Sequence, residues 1–153
     1  MRNNCSDGDV RLVGGSDEYE GRVEVCINQA WGTVCNGQYS WRSTYWGTAD
    51  GRVVCRQLRH QELGKNVCMS GVLVHSNLFV ILHTYSCTGL TVYGSSQFGQ
   101  GTGPIFFTDV GCSGSESSLL ACSRNVFAVS SCTHSRDVGL KCEGTYSKWG
   151  IYV

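Results

Sequence analysis

Ten cysteines are the residues of this chain with the most chemistry to offer, and their spacing narrows what that chemistry is. No two of them form a C-x-x-C pair. Structural zinc takes two ligands from one tight turn, so this distribution argues against it. An even count, spread about one per element through 153 residues with 20 glycines, reads as a disulfide framework built in oxidising, extracellular surroundings. Disulfide bonding also removes the free thiol that a Cys–His nucleophile would need.

A second group is basic. Arg52, Arg56 and Arg59 follow helical spacing, with Arg124 and Arg136 elsewhere. Clustered guanidiniums read phosphate and sulfate groups mainly as charge, which makes the stripe a candidate for polyanion binding. The plainer reading is a solvated helix face. Trp41, Tyr45 and Trp46 lie in a turn-rich stretch and are candidates for a contact surface, whereas Trp31 is assigned to the core. Arg22 and Glu24 share a strand face and are expected to interact. Other signals are weak. Gly99, Gly101 and Gly103 lead into Pro104 and a strand, not into a helix, so they make a turn rather than a phosphate loop. There is no G-x-S-x-G elbow, and no histidine has a carboxylate at a recognisable catalytic spacing. The chain is not read as an enzyme.

The elements that must position these residues are mostly strands. Val10 to Val13 is a short strand closed by Gly14 and Gly15. Gly21 to Cys26 alternates with period two, Val23 and Val25 facing one way and Arg22, Glu24 and Cys26 the other. Trp31 to Cys35, Ile105 to Val110 and Val138 to Cys142 are further strands. A helix is expected from Arg52 to Leu58, capped by Asp50 or Thr48, and a short one from Ser115 to Cys122 with Ser115 as its N-cap. Twelve Lys and Arg balance twelve Asp and Glu, which argues against a nucleic-acid partner held by a basic surface. The apolar run from Val72 to Tyr85 is about 14 residues long against the ~20 a bilayer needs, and polar residues break it, so no transmembrane segment is read. The first twelve residues carry no apolar run, so no secretory leader is read there; an extracellular domain with this start is expected to be part of something longer. The one N-x-S/T sequon is at Asn4.

In order along the chain stand VRLVGG, EGRVEV, WGTVC, VVCRQL, FGQGTGPI, DVGCSGSESSLLAC and CTHSRDVGLKC. Together these closely resemble a scavenger receptor cysteine-rich (SRCR) domain, from about Val10 to Cys142. The resemblance implies a small disulfide-rich α+β fold in which a curved antiparallel sheet cradles a helix. It implies the bridges Cys35–Cys132, Cys55–Cys142 and Cys112–Cys122. A fourth bridge, found in one subgroup, would need cysteines where Tyr19, Arg59 and His60 stand, so the chain resembles the six-cysteine subgroup. Cys5, Cys26, Cys68 and Cys87 are left over and allow three pairings among themselves. Cys5 is read as the remnant of a preceding repeat, left without its partner. The domain plan is then a linker at 1–8, the SRCR domain at 9–143 and a tail at 144–153. The family has only a few residues where this chain has about 28, at 59–86. A loop pinned by Cys68–Cys87 and read-through of an intron both account for that insertion.

The resemblance also carries expectations of function. Calcium-binding relatives place an acidic pair after WGTVC that converges with the Glu of C-x-G-x-E. Here the pair is Asn36 and Gly37, so the candidate cation set is Asn36, Asp109 and Glu116. Calcium favours several charged oxygens, and two carboxylates are gone. Apart from that calcium set, no cofactor is expected. His134 and Asp137 match family positions with structural roles. The function implied is an extracellular or cell-surface module that recognises proteins or polyanionic microbial and host ligands. The alternative is an accessory domain of a larger extracellular enzyme, of the serine protease or lysyl-oxidase-like kind.

Overall fold

The computed structural model describes residues 5–37, 45–63, 73–75, 78–80, 89–126 and 131–143. Its frame is a seven-stranded sheet in the order β6-β9-β2-β3-β7-β8, with β1 added to β2. The strands are β1 (Val10–Gly14), β2 (Glu20–Ile27), β3 (Ala30–Val34), β6 (Gly89–Tyr93), β7 (Ile105–Gly111), β8 (Ser123–Asn125) and β9 (Gly139–Glu143). One helix, α1 (Thr48–Leu63), packs on the sheet. Among the described residues no helix is long and apolar enough to cross a membrane.

β2 organises the sheet because it is long enough to take three partners. β1 pairs along one edge, from Val10 opposite Val25 to Gly14 opposite Gly21. The other edge is shared: Glu20 to Arg22 pair with β9, and Glu24 to Ile27 pair with β3. The β2–β3 connection turns at Asn28 and Gln29, both at positive φ (50° and 61°), the backbone that two-residue hairpins favour. The sheet is mixed, because β3 runs parallel to β7 while the other pairs are antiparallel. Alternation along β2 buries Val23 and Val25 completely against a core that includes Val34, Val53, Val54 and Leu140.

α1 is longer than the heptad from Arg52 to Leu58. Gly47 is its cap position, and Asp50, at the third helical residue, accepts the Gly47 N–H at 2.7 Å. At the far end, His60 to Leu63 carry no helix breaker before Gly64, so the helix continues into the segment read as an insertion. Gly51 lets α1 approach β6 and β9 closely, since a Cβ there would lie 2.7 Å from Leu90 Cδ2. Two further short strands, β4 (Leu73–His75) and β5 (Leu78–Val80), pair only with each other. Cys68 and Cys87 lie outside the described residues.

Two readings of the sequence are corrected. Ser115 to Cys122 is not a helix. Only Leu119–Ala121 makes a single 3-10 turn, capped by Ser118, whose hydroxyl accepts from Leu120 N at 3.2 Å. The chain is drawn away earlier, because Glu116 takes the amides of Ser113 and Gly114, and Leu119 N donates to Gln57 Oε1. Nor is Cys5 left without a partner: it is bonded to Cys26. Gly8 N donates to Cys26 O, Gln57 Nε2 donates to Gly8 O and Asn28 N donates to Asp7 Oδ1, so residues 5–8 are packed into the domain rather than forming a linker.

Candidate functional site

Three more disulfides join Cys35 to Cys132, Cys55 to Cys142 and Cys112 to Cys122. The first two span 97 and 87 residues and tie β3 and α1 to the C-terminal part of the chain. These bridges decide what the rest of the surface can offer, because they leave the candidate ligand residues on rigid elements.

Two of the three residues expected to hold a cation, Asn36 and Glu116, make structural hydrogen bonds. Asn36 Oδ1 accepts from Trp46 N at 3.0 Å, and its Nδ2 donates to Gly94 O at 3.4 Å. It therefore binds the exit of β3 to two other segments. Glu116 Oε1 accepts from Ser113 N at 2.7 Å and Oε2 from Gly114 N at 2.9 Å. Those amide bonds, from Ser113 first, hold its carboxyl down at about 2. Asp109 sits at the irregularity in β7 with φ 52° and leaves Oδ1 buried without a hydrogen-bond partner. Among the described residues, the one gathering of three potential metal ligands is Cys112, Glu116 and Cys122, and both sulfurs there are joined in a disulfide. Asp109 keeps one orphaned oxygen, against the six to eight oxygens that calcium takes.

The arginine stripe divides. Arg52 is exposed and makes no hydrogen bond or ion pair among the described residues. Arg56 donates to Gly114 O at 2.6 Å and Glu116 O at 2.8 Å, clamping the Cys112–Cys122 loop to α1. The Arg59 side chain and all of Trp41 lie outside the described residues. Arg124 serves the same loop from the other side, donating to Leu120 O and Cys122 O over the Phe107 ring.

Two tryptophans differ from the burial read for them. Trp46 is 5 % exposed and belongs to the core, so it is no contact residue. Trp31 is outside that core. Register explains its position: Arg11, Glu24 and Thr33 stand opposite one another on β1, β2 and β3, and Trp31 stands opposite Cys26, two residues along. All of them share the sheet face turned away from Val23 and Val25. There the Arg11 guanidinium lies 4.2 Å over the Trp31 ring and donates through Nε and Nη2 to Glu24 Oε2, at 2.8 and 2.6 Å. Arg22 holds the other carboxylate oxygen, Oε1, through Nε at 3.2 Å and Nη2 at 2.8 Å, and its Nη1 donates to Phe98 O and Gly99 O. Glu24 is 7 % exposed, while the Arg11 side chain is 45 % exposed. Sequence reasoning found the Arg22–Glu24 pair but missed Arg11 and Trp31, whose meeting depends on strand register.

The same face is closed further on by a polar knot. His134 Nδ1 lies 3.0 Å from the fully buried Asp137 Oδ2, and Nε2 lies 2.9 Å from Gly103 O. Gly101 N donates to Asp137 Oδ2 at 2.7 Å, and a Cβ on Gly101 would come within 2.5 Å of Thr33 Cγ2. The knot fixes the loop around residues 96–103 and is structural.

Comparison with known proteins places this geometry. The model of the scavenger receptor cysteine-rich domain matches residues 13–93 and 89–143. The chain is 38 % identical over 133 residues to the macrophage scavenger receptor types I and II of Mus musculus, covering 87 % of this chain and 22 % of that protein. It is 34 % identical over 136 residues to the galectin-3-binding protein of Mus musculus, covering 89 % of this chain and 18 % of that protein. It thus spans less than a quarter of the length of these relatives. Among solved structures, the third SRCR domain of murine neurotrypsin superposes with a TM-score of 0.57 at 30 % identity, covering 88 % of this chain and 94 % of that one. The dimeric form of the SRCR domain of mouse MARCO gives 0.52 with the same identity and coverage. With the family model matched over most of its length and the helix-and-sheet frame shared with solved members, the chain belongs to the scavenger receptor cysteine-rich domain family.

Proposed function

We propose that this chain is an extracellular or cell-surface recognition module that holds anionic ligands, on proteins or polyanions, by surface charge and shape. It works without catalysis and without a bound cation. The observation that carries this reading is Arg11, fixed over Trp31 with nearly half its side chain in solvent, which offers one cation to an anionic group on a protein; a polyanion needs other exposed cations as well. Arg52 adds a second exposed cation on the helix. Cation independence is supported by Asn36 and Glu116, whose oxygens already accept backbone amides. Two relatives, a scavenger receptor and a galectin-3-binding protein, are named for binding rather than turnover. The second reading is an accessory domain of a larger extracellular enzyme; the chain covers only 22 % and 18 % of two relatives, which are longer proteins. A full-length transcript encoding a catalytic domain would select it.

The test is binding of the oxidised chain to dextran sulfate over a salt series, first with calcium and then with EDTA. Binding is expected to weaken as salt rises and to ignore EDTA. Loss of binding in EDTA would sink the cation-free mechanism.

A further inference from the structure

We propose that Arg11 and Trp31 form a docking point for a single carboxylate on a protein partner, rather than a foothold for a polyanion. This rests on the reading of the chain as a recognition module and names the ligand chemistry of that site.

Three features of the cluster point there. The first is that the guanidinium is already immobilised. Nε and Nη2 are both committed to Glu24 Oε2, and one face of the guanidinium is covered by the Trp31 ring. Nη1 makes no hydrogen bond among the described residues, and the side chain is nearly half exposed. An arginine held this way loses little freedom when it is bound, and Arg and Trp are the residue types that anchor protein interfaces.

The second feature is charge. Two guanidiniums share one carboxylate, which leaves a single unneutralised positive charge. Glu24 is too deeply placed to swing out, with both oxygens held, and Arg22 has every nitrogen engaged. The cluster therefore presents one cation to a partner, not a row of them. A polyanion draws its affinity from many neutralised charges and released counter-ions, which one guanidinium does not supply.

The third feature is the surroundings. The cluster lies on the sheet between two covered regions: the segment bonded at Cys5–Cys26, and the loop that Arg22 ties down through Phe98 O and Gly99 O. A site framed on rigid strands, with an indole floor beside one charge, suits an Asp or Glu side chain with an apolar neighbour. Planarity adds to this preference, since a guanidinium can lie flat on the indole while offering Nη1 to a carboxylate, and a lysine ammonium cannot.

The experiment uses the oxidised, 15N-labelled full chain and three probes. They are a blocked tetrapeptide with one Asp and one Phe, its Asn counterpart, and dextran sulfate, each followed through the Arg11 Nε–H and Trp31 Nε1–H signals. The Asp peptide is expected to move both signals, and the Asn peptide to bind about tenfold more weakly. Arg11→Lys, which keeps the charge but loses the two-point hold on Glu24 that fixes the cation over Trp31, should cost about tenfold for the Asp peptide. Arg52→Ala should bind it like the parent chain. Equal binding of the Asp and Asn peptides, which needs no variant, or an indifferent Arg11→Lys would overturn the proposal. Movement of these signals by dextran sulfate alone would overturn it in favour of a polyanion site and leave the broader recognition reading standing. If no probe moves any signal in the chain, both fail together.

Discussion

Two regions of this domain are assembled from the same parts and put to opposite use. On the sheet, Arg11 and Arg22 hold Glu24; on the helix side, Arg56 and Glu116 hold the Cys112–Cys122 loop. In the loop, the carboxylate is spent on backbone amides and the guanidinium on backbone carbonyls, so the loop consumes its own charges in folding. On the sheet, the carboxylate is spent on guanidiniums, and one of these stays nearly half exposed with a spare nitrogen. The residue types are alike, yet only the second arrangement leaves chemistry for a partner. Charge on a surface is thus a poor guide to binding until the donors already in use are counted.

The comparison can be broken most forcefully at the disulfides. Replacing Cys55 and Cys142 by Ala releases an 87-residue span, and about 4–5 kcal/mol of stability is expected to go with it, taking sheet and loop together. Replacing Cys112 and Cys122 releases a span of 10 residues and should cost about 2–3 kcal/mol, loosening the loop while the sheet cluster persists. Denaturant midpoints measure the first, and the Trp31 indole signal reports the second. Equal losses, or loss of the Trp31 signal in the short-loop variant, would mean that the two regions are not separable.

A smaller change sharpens the contrast between the carboxylates. Glu24→Ala strands Arg22, whose side chain is 12 % exposed, and should destabilise by about 3 kcal/mol. Glu116→Ala should cost clearly less, because water can reach the amides it leaves behind. Thermal melts of the two variants side by side decide this, and the reverse order would refute the ranking.

The mildest effect is in pH. Glu116 is held at about 2 against an ordinary 4.5, so its bound form is the charged one. Its contribution is full above about pH 4.5 and drains away as pH falls towards about 2. Glu116→Gln should flatten the melting curve's pH dependence within that window and leave it alone near neutrality. An unchanged acid limb would show that the amide bonds to Glu116 do not matter to folding.

Much of the frame is legible from the residues. Alternation in GRVEV places Val23 and Val25 in the core, and the stripe of Val54, Cys55 and Leu58 announces α1. What alternation cannot give is register. Arg11 meets Glu24 and Trp31 only because β1 and β3 pair with β2 at particular offsets, and those offsets follow from the whole sheet. Trp46 misleads for a related reason. It stands among polar turn residues, but Asn36 pulls its backbone inward and the indole follows into the core. The Ser115 stretch carries helix-start chemistry, but Glu116 bonds amides behind it instead of opening a helix.

The Cys5–Cys26 bridge has a mechanical consequence. Tension applied at Cys5 does not pull on β1, which lies inside the ring that the bridge closes, but passes directly into β2. From Cys26 the strained path runs nine residues to Cys35, crosses to Cys132 and runs ten more to Cys142. A domain hung between those two ends can lengthen only along these two short stretches, while the helix and the exposed loops hang slack beside the load. Under load it would behave as a short, stiff link rather than an unravelling spring.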